Sequence, residues 1–516
     1  MAFLADDLLE GREAGTRGDA LAQLYLRTRF ETLGLKPAGD GGSYLQRFSV
    51  RGTSLELGSV DFRVIGPTGT AQFENGIDVA IYGDVMEADQ RIEAPVVFAG
   101  SGIVAPEHGI DDYRGLDVKG KIVAVLGGPP AFLPAAEAAH YGSADQQRIQ
   151  AAKQGAIGVI HLWTPALEQR FAFERIKSTL GRTDLNWIGA DGQPKITAPG
   201  VRLRAFARGT AAEALFKGTP HSFSQLIEAA KTSSPRGFDL MTKVSLARRS
   251  RHDDKMVTAN IAGLIEGSDP QLKHEIVVLT AHYDHIGIGP AVAGDQIYNG
   301  ALDNAAGTAM LIEVARNIMS DSSRPKRSIL FLAVGAEEKG MIGSDYFAQN
   351  PTVRGGKIVA NINLDGAMPF YDFRDVVAFG AEQSQIGEHL ASAAAQLGLT
   401  VASDPFPEEG ILTRSDQISF IKRGVPAVFL YIGFTAMDGS YVGRKIWDRM
   451  TATSVHRPGD DLSQQIDYDV LAKFTDVFRR LTLETANAAT HPQWYEDSLF
   501  GARFAPNAPK AARPKG

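Results

Sequence analysis

The sequence predicts an α/β protein: a mixed, largely parallel sheet with helices on both faces, interrupted by a separate β-rich module. Three observations carry that expectation. Short, bounded runs rich in Ile, Val and Leu recur at 276–281, 328–334, 358–364 and 427–432, the texture of strands buried on both faces. Helical spacing of apolar residues fills the gaps at 304–319, 385–397 and 468–486, and strands alternating with helices indicate an open parallel sheet. From 61 to 242 the texture differs, with short β-like runs broken by many Gly and Pro residues.

Taken in order, 19–35 reads as an amphipathic helix with Asp19 as N-cap, Leu21, Leu24, Tyr25, Phe30 and Leu33 near helical spacing, and Gly34 and Pro37 as stop signals. A Gly-rich turn at 39–43 leads into an alternating run at 44–50. Strand-like runs follow at 94–100 and 121–126, then a helical stretch at 144–155 and an apolar strand at 158–163. The expected organisation is an N-terminal part of the main domain at 1–60, an insert at 61–242, the main domain at 243–495 and a tail at 496–516. Pro506, Pro509 and Pro514 among Arg503, Lys510, Arg513 and Lys515 mark that tail as disordered.

Composition excludes several classes. The 516 residues contain no cysteine, so a disulfide scaffold, a thiol nucleophile and a thiolate metal site are ruled out. Any metal must be held by His, Asp and Glu. With 53 Lys+Arg against 60 Asp+Glu, nothing at the level of the whole chain suggests a nucleic-acid partner. No apolar run approaches the ~20 residues that cross a bilayer, so no membrane span is expected and the chain reads as soluble. The first residues, M-A-F-L-A-D-D, turn acidic at once and resemble neither a signal peptide nor a transit sequence, although removal of a signal would leave the same trace.

The chemistry collects where the predicted strands end. The run ending A-H-Y-D-H supplies His282, Asp284 and His285; the run ending G-A-E-E supplies Glu337 and Glu338; the run I-V-A-N-I-N-L ends at Asp365. The carboxyl end of a central strand is partly desolvated, and an unpaired charge there is destabilising. Three strands incurring the same penalty at one edge are most simply explained by a shared cation. Asp303, just before a predicted helix, is placed to cap that helix or to turn to a metal, and His456 lies in a Pro/Gly loop. Two His and three carboxylates with a spare Glu suit zinc or a similar divalent ion. They exceed the three protein ligands of a single catalytic zinc, whereas two metals sharing one carboxylate would use them all. His108, His140, His161, His221, His252, His274, His389 and His491 have no comparable acidic partner at a strand end and read as structural or surface residues.

These motifs, H-Y-D-H at 282–285, G-A-L-D-N at 300–304, A-E-E-K-G at 336–340, N-L-D at 363–365 and H-R-P-G-D at 456–460, resemble in order and spacing the co-catalytic two-zinc exopeptidases, the leucine-type aminopeptidases and the glutamate carboxypeptidase II group. The segments at 111–126 and 151–160 are similar to the protease-associated domain that many of these enzymes carry as an insertion. The resemblance implies two Zn2+ per chain: His282 and Asp365 on one, Glu338 and His456 on the other, and Asp303 bridging. It further implies Glu337 as general base toward a metal-bridged water, and Asp284 holding His282 in the correct tautomer. Several relatives place a Tyr just before the last ligand His; here it is Val455, leaving Tyr431, Tyr441 or a zinc as oxyanion partner. R-S-D-Q at 414–417 resembles a family feature near the substrate pocket and reads equally well as a turn before a strand.

The expected function is a zinc-dependent aminopeptidase that removes N-terminal residues from peptides with a free N-terminus. Its rivals are a carboxypeptidase or dipeptidase, a glutaminyl cyclase on the same fold, and a non-catalytic receptor-like binding protein. The family resemblance implies an exported protein, periplasmic or secreted.

Overall fold

The computed structural model describes residues 1–514. They form two compact units, one made of Met1–Ser49, Val257–Phe406 and the chain from Ile411 onward, the other of Val50–Met256 with Pro407–Gly410.

The first unit is built on β1 (Leu45–Leu55) up to Ser49, β2 (Phe238–Ile265) from Val257, β3 (Glu275–His282), β4 (Ser328–Val334), β5 (Lys357–Leu364), β6 (Asp375–Phe379), β7 (Thr400–Ala402) and β8 (Ala427–Ile432). They hydrogen-bond in the order β1-β2-β4-β3-β5-β8-β6-β7. Strands β4, β3, β5 and β8 run parallel, and β2 and β6 flank them antiparallel. The mixed, largely parallel sheet is as expected.

Burial on both faces explains why these strands read as continuous apolar runs. Val277, Leu279, Ala281, Ile329 and Phe331 pack on one face with helices α1 (Arg17–Thr32), α2 (Ala306–Ser320), α4 (Ile386–Ala395) and α7 (Tyr468–Asn487). Ile276, Val278, Leu330, Leu332 and Val334 pack on the other, with Phe347 of α3 (Ile342–Gln349) and Ile418 and Phe420 of α5 (Gln417–Ile421).

The second unit has its own core, in which Ile122–Leu126 and Gly158–Leu162 pair in parallel, as do Gly158–Leu162 and Leu203–Ala207. Phe238–Ile265 runs antiparallel to Asp61–Gly66 and Asp89–Phe98 there.

Two expectations are corrected. Helix α1 starts at Arg17 with Thr16 as its N-cap, and Asp19, 1% exposed, instead accepts hydrogen bonds from Gly15 N and the Tyr283 hydroxyl. A carboxylate one turn inside the core needed those donors more than the helix needed a second cap. The tail expected to be disordered is folded through 514: Phe500 and Trp494 are buried, Trp494 Nε1 donates to Gly424 O at 2.9 Å, and Arg513 pairs with Asp497 at 2.9 Å. Two large apolar anchors outweigh a Pro-rich, basic composition.

Candidate metal centre

Register brings the strand-end residues together. Ala281 of β3 pairs with Leu364 of β5, so the next residues, His282 and Asp365, stand side by side, and His282 Nε2 lies 3.0 Å from Asp365 Oδ1. His282 itself pairs with Val334 of β4, three residues before Glu337. Asp303 enters from the turn before α2. It does not cap that helix, whose N-cap is Ala305 without a side-chain bond. Its two oxygens divide between two histidines: Oδ1 is 3.2 Å from His282 Nε2 and Oδ2 is 3.2 Å from His456 Nε2. His456 Nε2 is also 3.0 Å from Glu338 Oε2.

Two sets of ligand atoms follow, each within 4.8 Å of one another: His282 with Asp303 and Glu338, and His282 with Glu337 and Asp365. The site opens to solvent at one side, since the His456 side chain is 51% exposed whereas those of His282 and Glu338 are 1% and 4% exposed.

The backbone around these groups is tied by side chains. Asp284 accepts from Glu337 N at 3.0 Å and from Glu338 N at 3.3 Å, fixing the turn that carries both acids. Its carbonyl oxygen, rather than its carboxylate, is the closer partner of His282 Nδ1, at 3.2 Å against 3.9 Å. Asp460 accepts from Leu302 N and Asp303 N, both at 2.9 Å. Asn304 joins the Asp303 turn to the Asp365 turn, donating to Leu364 O and accepting from Gly366 N. Gly300 has φ +59°, and a Cβ there would lie 2.5 Å from His285 Cγ, so only glycine fits.

Electrostatics shows what the chain lacks. Asp284, Asp303, Glu337, Glu338, Asp365, Asp416 and Asp460 crowd one volume beneath Arg12, the buried guanidinium that faces several of them. Burial holds Arg12 down at about 10 against the pull of Asp284, Asp460, Asp303 and Glu338. Arg12 donates to Tyr283 O and Gly300 O, at 2.7 and 3.1 Å, and also to Leu4 O and Asn299 O. Burial, reinforced by Asp365, Asp416 and Glu338, pushes Glu337 well above the usual carboxylate range despite His282. Burial also lowers the imidazolium preference of His282, but Asp365 and Asp303 outweigh it and raise the group well above its ordinary value. Glu338 Oε1 and His285 Nδ1 lie 2.7 Å apart yet off the line a hydrogen bond needs, leaving both without such a partner. An oxygen and nitrogen donor set with surplus negative charge and orphaned buried atoms fits a divalent cation.

Sequence reasoning assigned no role to Arg12, His285, Asp416 or Asp460. His285, Asp416 and Asp460 sit inside the quoted motifs, Asp416 in R-S-D-Q, so position within a motif was their signal. Asp416, 0% exposed with neither oxygen hydrogen-bonded, stands beside a Ser344 hydroxyl already engaged by Met341 O and Ser419. Arg12 has no local signal, because its partners come from residues near 283 and 300. Among the histidines read as background, His108 pairs with Glu137, and His491 lies 3.0 Å from Glu275.

The profile of Peptidase family M28 matches residues 260–482, which contain every one of these predicted site residues. The likeness to Peptidase family M28 covers that segment, less than half of the chain. The chain is similar to Aminopeptidase YwaD of Bacillus subtilis (strain 168), 36% identical over 108 residues, 20% of this chain and 21% of that protein. Aminopeptidase Y of Saccharomyces cerevisiae is 29% identical over 214 residues, 40% of this chain and 35% of that protein. The matches thus span 21% and 35% of these curated relatives. The fold resembles a solved aminopeptidase from Aneurinibacillus sp. strain AM-1, with a TM-score of 0.52 and 18% identity over 95% of this chain and 92% of that one.

Proposed function

We propose that this chain is a zinc-dependent aminopeptidase, with two Zn2+ held by His282, Asp303, Glu338, Asp365 and His456. The observation that carries the reading is Asp303, whose two oxygens face different histidines at equal distances, the arrangement of a carboxylate shared between two cations. When bound, such ions supply Lewis acidity at the scissile carbonyl and an acidified water.

The chain's own residues do the rest. Glu337 lies within the His282 and Asp365 set, and its raised proton affinity suits a group that takes a proton from water and returns it to the leaving amine. Asp284 orients both acids through their backbone amides, and Asp460 does the same for Asp303. The open side at His456 admits a peptide end. Names among the matched relatives support amino-terminal cleavage, and the match to Peptidase family M28 supports a peptidase. The insert, by its resemblance to a protease-associated domain, governs access rather than chemistry.

The test is product analysis on one peptide in three forms: free-amine, N-acetylated and C-amidated. Loss of cleavage on acetylation alone is the expected result; loss on amidation alone would make the enzyme a carboxypeptidase. Elemental analysis complements it: near two zinc ions per chain is expected, and about one or none would overturn the two-metal centre.

A further inference from the structure

The geometry points to Tyr431 as the residue that donates a hydrogen bond to the substrate's scissile carbonyl oxygen. This rests on the aminopeptidase reading and adds a residue to it.

Register sets the position of Tyr431. Asn363 of β5 pairs in parallel with Phe429 of β8, so two residues on, Asp365 and Tyr431 are neighbours at the carboxyl ends of those strands. Asp365 already stands beside His282. His282, Asp365 and Tyr431 therefore form one row across three adjacent strands, on the same face because paired residues share a face and alternate along each strand. Neighbouring strands lie ~4.8 Å apart, which sets Tyr431 one strand spacing from Asp365.

The ring is held in place. It packs edge-on against Phe429 and Trp447, with centroids 5.8 and 5.6 Å away, and alongside Phe434 at 6.5 Å. Its edge lies against Gly366, the residue after Asp365: a Cβ built there would sit 3.7 Å from Cε2 and 3.9 Å from the hydroxyl.

The hydroxyl itself is uncommitted. Tyr431 is 4% exposed, yet no hydrogen bond is found for its hydroxyl among the described residues, nor is that atom sealed from solvent. Buried tyrosines ordinarily find a partner for the O–H, as neighbouring Tyr371 does at Gly433 O. Tyr441 is 59% exposed, and Val455, the residue before His456, offers no donor. A rigid phenol with a free O–H, aimed from the strand row that carries two of the proposed ligands, is placed to meet negative charge growing on a carbonyl oxygen as water adds to the carbon. The proton stays on the phenol throughout; only the hydrogen bond strengthens.

Tyr431→Phe in the zinc-loaded enzyme tests this. It is expected to lower kcat by about 10²–10³-fold, the scale for removing one such donor, with KM and bound zinc unchanged. Affinity for a phosphonate dipeptide analogue, which presents tetrahedral oxygens, should fall at least about tenfold by calorimetry, while affinity for the free amino-acid product should not. An unchanged kcat, loss of zinc, or equal weakening of analogue and product would overturn the assignment with the aminopeptidase reading intact. A wild-type protein that cleaves no free-amine peptide would overturn that reading, and the role of Tyr431 with it.

Discussion

Two regions of this molecule bury charge, and they do so differently. In the second unit, Arg248 and Asp84 form a nearly sealed pair at 3.1 Å, with Arg248 also donating to Arg202 O and Asp84 accepting from Gln90. His161 there is wholly buried beside Gln147, and burial holds it down at about 3, so it stays neutral. Charge in that unit is matched by the chain. In the first unit, Asp303, Glu337, Glu338, Asp365 and Asp416 collect around His282 and His456 with Arg12 as the permanent cation. A buried pair that balances is architecture; a buried surplus of one sign is a request for a ligand.

The largest expected effect breaks the surplus at its centre. Asp303→Ala should remove bound metal and reduce kcat/KM by about four orders of magnitude, the scale left when a reaction's central group is lost; a fully metallated, active variant would contradict the shared-carboxylate assignment. Next, Glu337→Gln should lower turnover by about two to four orders of magnitude while zinc content stays near wild type. Retained activity would take Glu337 out of the proton-transfer role.

Breaking the balanced region should read out as stability. Arg248→Met leaves the Asp84 carboxylate buried without its charge partner, though still hydrogen-bonded by Met86 N, Glu87 N and Gln90, and is expected to cost about 3 kcal/mol, measured by denaturant unfolding, with zinc content unchanged in the folded protein. The smallest effect has the opposite sign. Burial raises Asp416 to about 7 in the folded chain, above the ~3.9 of an unfolded aspartate. Its ionisation therefore costs stability progressively above about pH 4 and in full above about pH 7. Asp416→Asn should thus raise the melting temperature of the chelator-treated protein at pH 8 by a few degrees, about 2–4 °C per kcal/mol for domains of this size, with the gain shrinking toward pH 5. No rise at pH 8 would mean that Asp416 is not part of the surplus.

Much of this was legible in the residues. The strands at 328–334 and 427–432 appear with the bounds read from their apolar runs, because burial on both faces leaves no polar position to blur the ends. Strand β2 was not read from the sequence at all. Its inward positions include Thr242, Arg248 and Ser250, so the alternation is real but not hydrophobic, and hydropathy cannot see it. Strand β6, D-V-V-A-F, was missed because its apolar run is only four residues long, too short to stand out even with Gly380 behind it.

By itself the sequence determined the fold class and marked the oxygen and nitrogen side chains at the strand ends as candidates for one site, since strand ends and residue types are local properties. The tertiary structure decided how they meet. Register between β3, β5 and β8 aligned His282, Asp365 and Tyr431, and the chain returned near residue 460 to hold the Asp303 turn. It also placed Arg12 beside carboxylates hundreds of residues away. Those are long-range pairings, chosen by which buried charges and strand edges satisfy one another, and no window of sequence contains both partners.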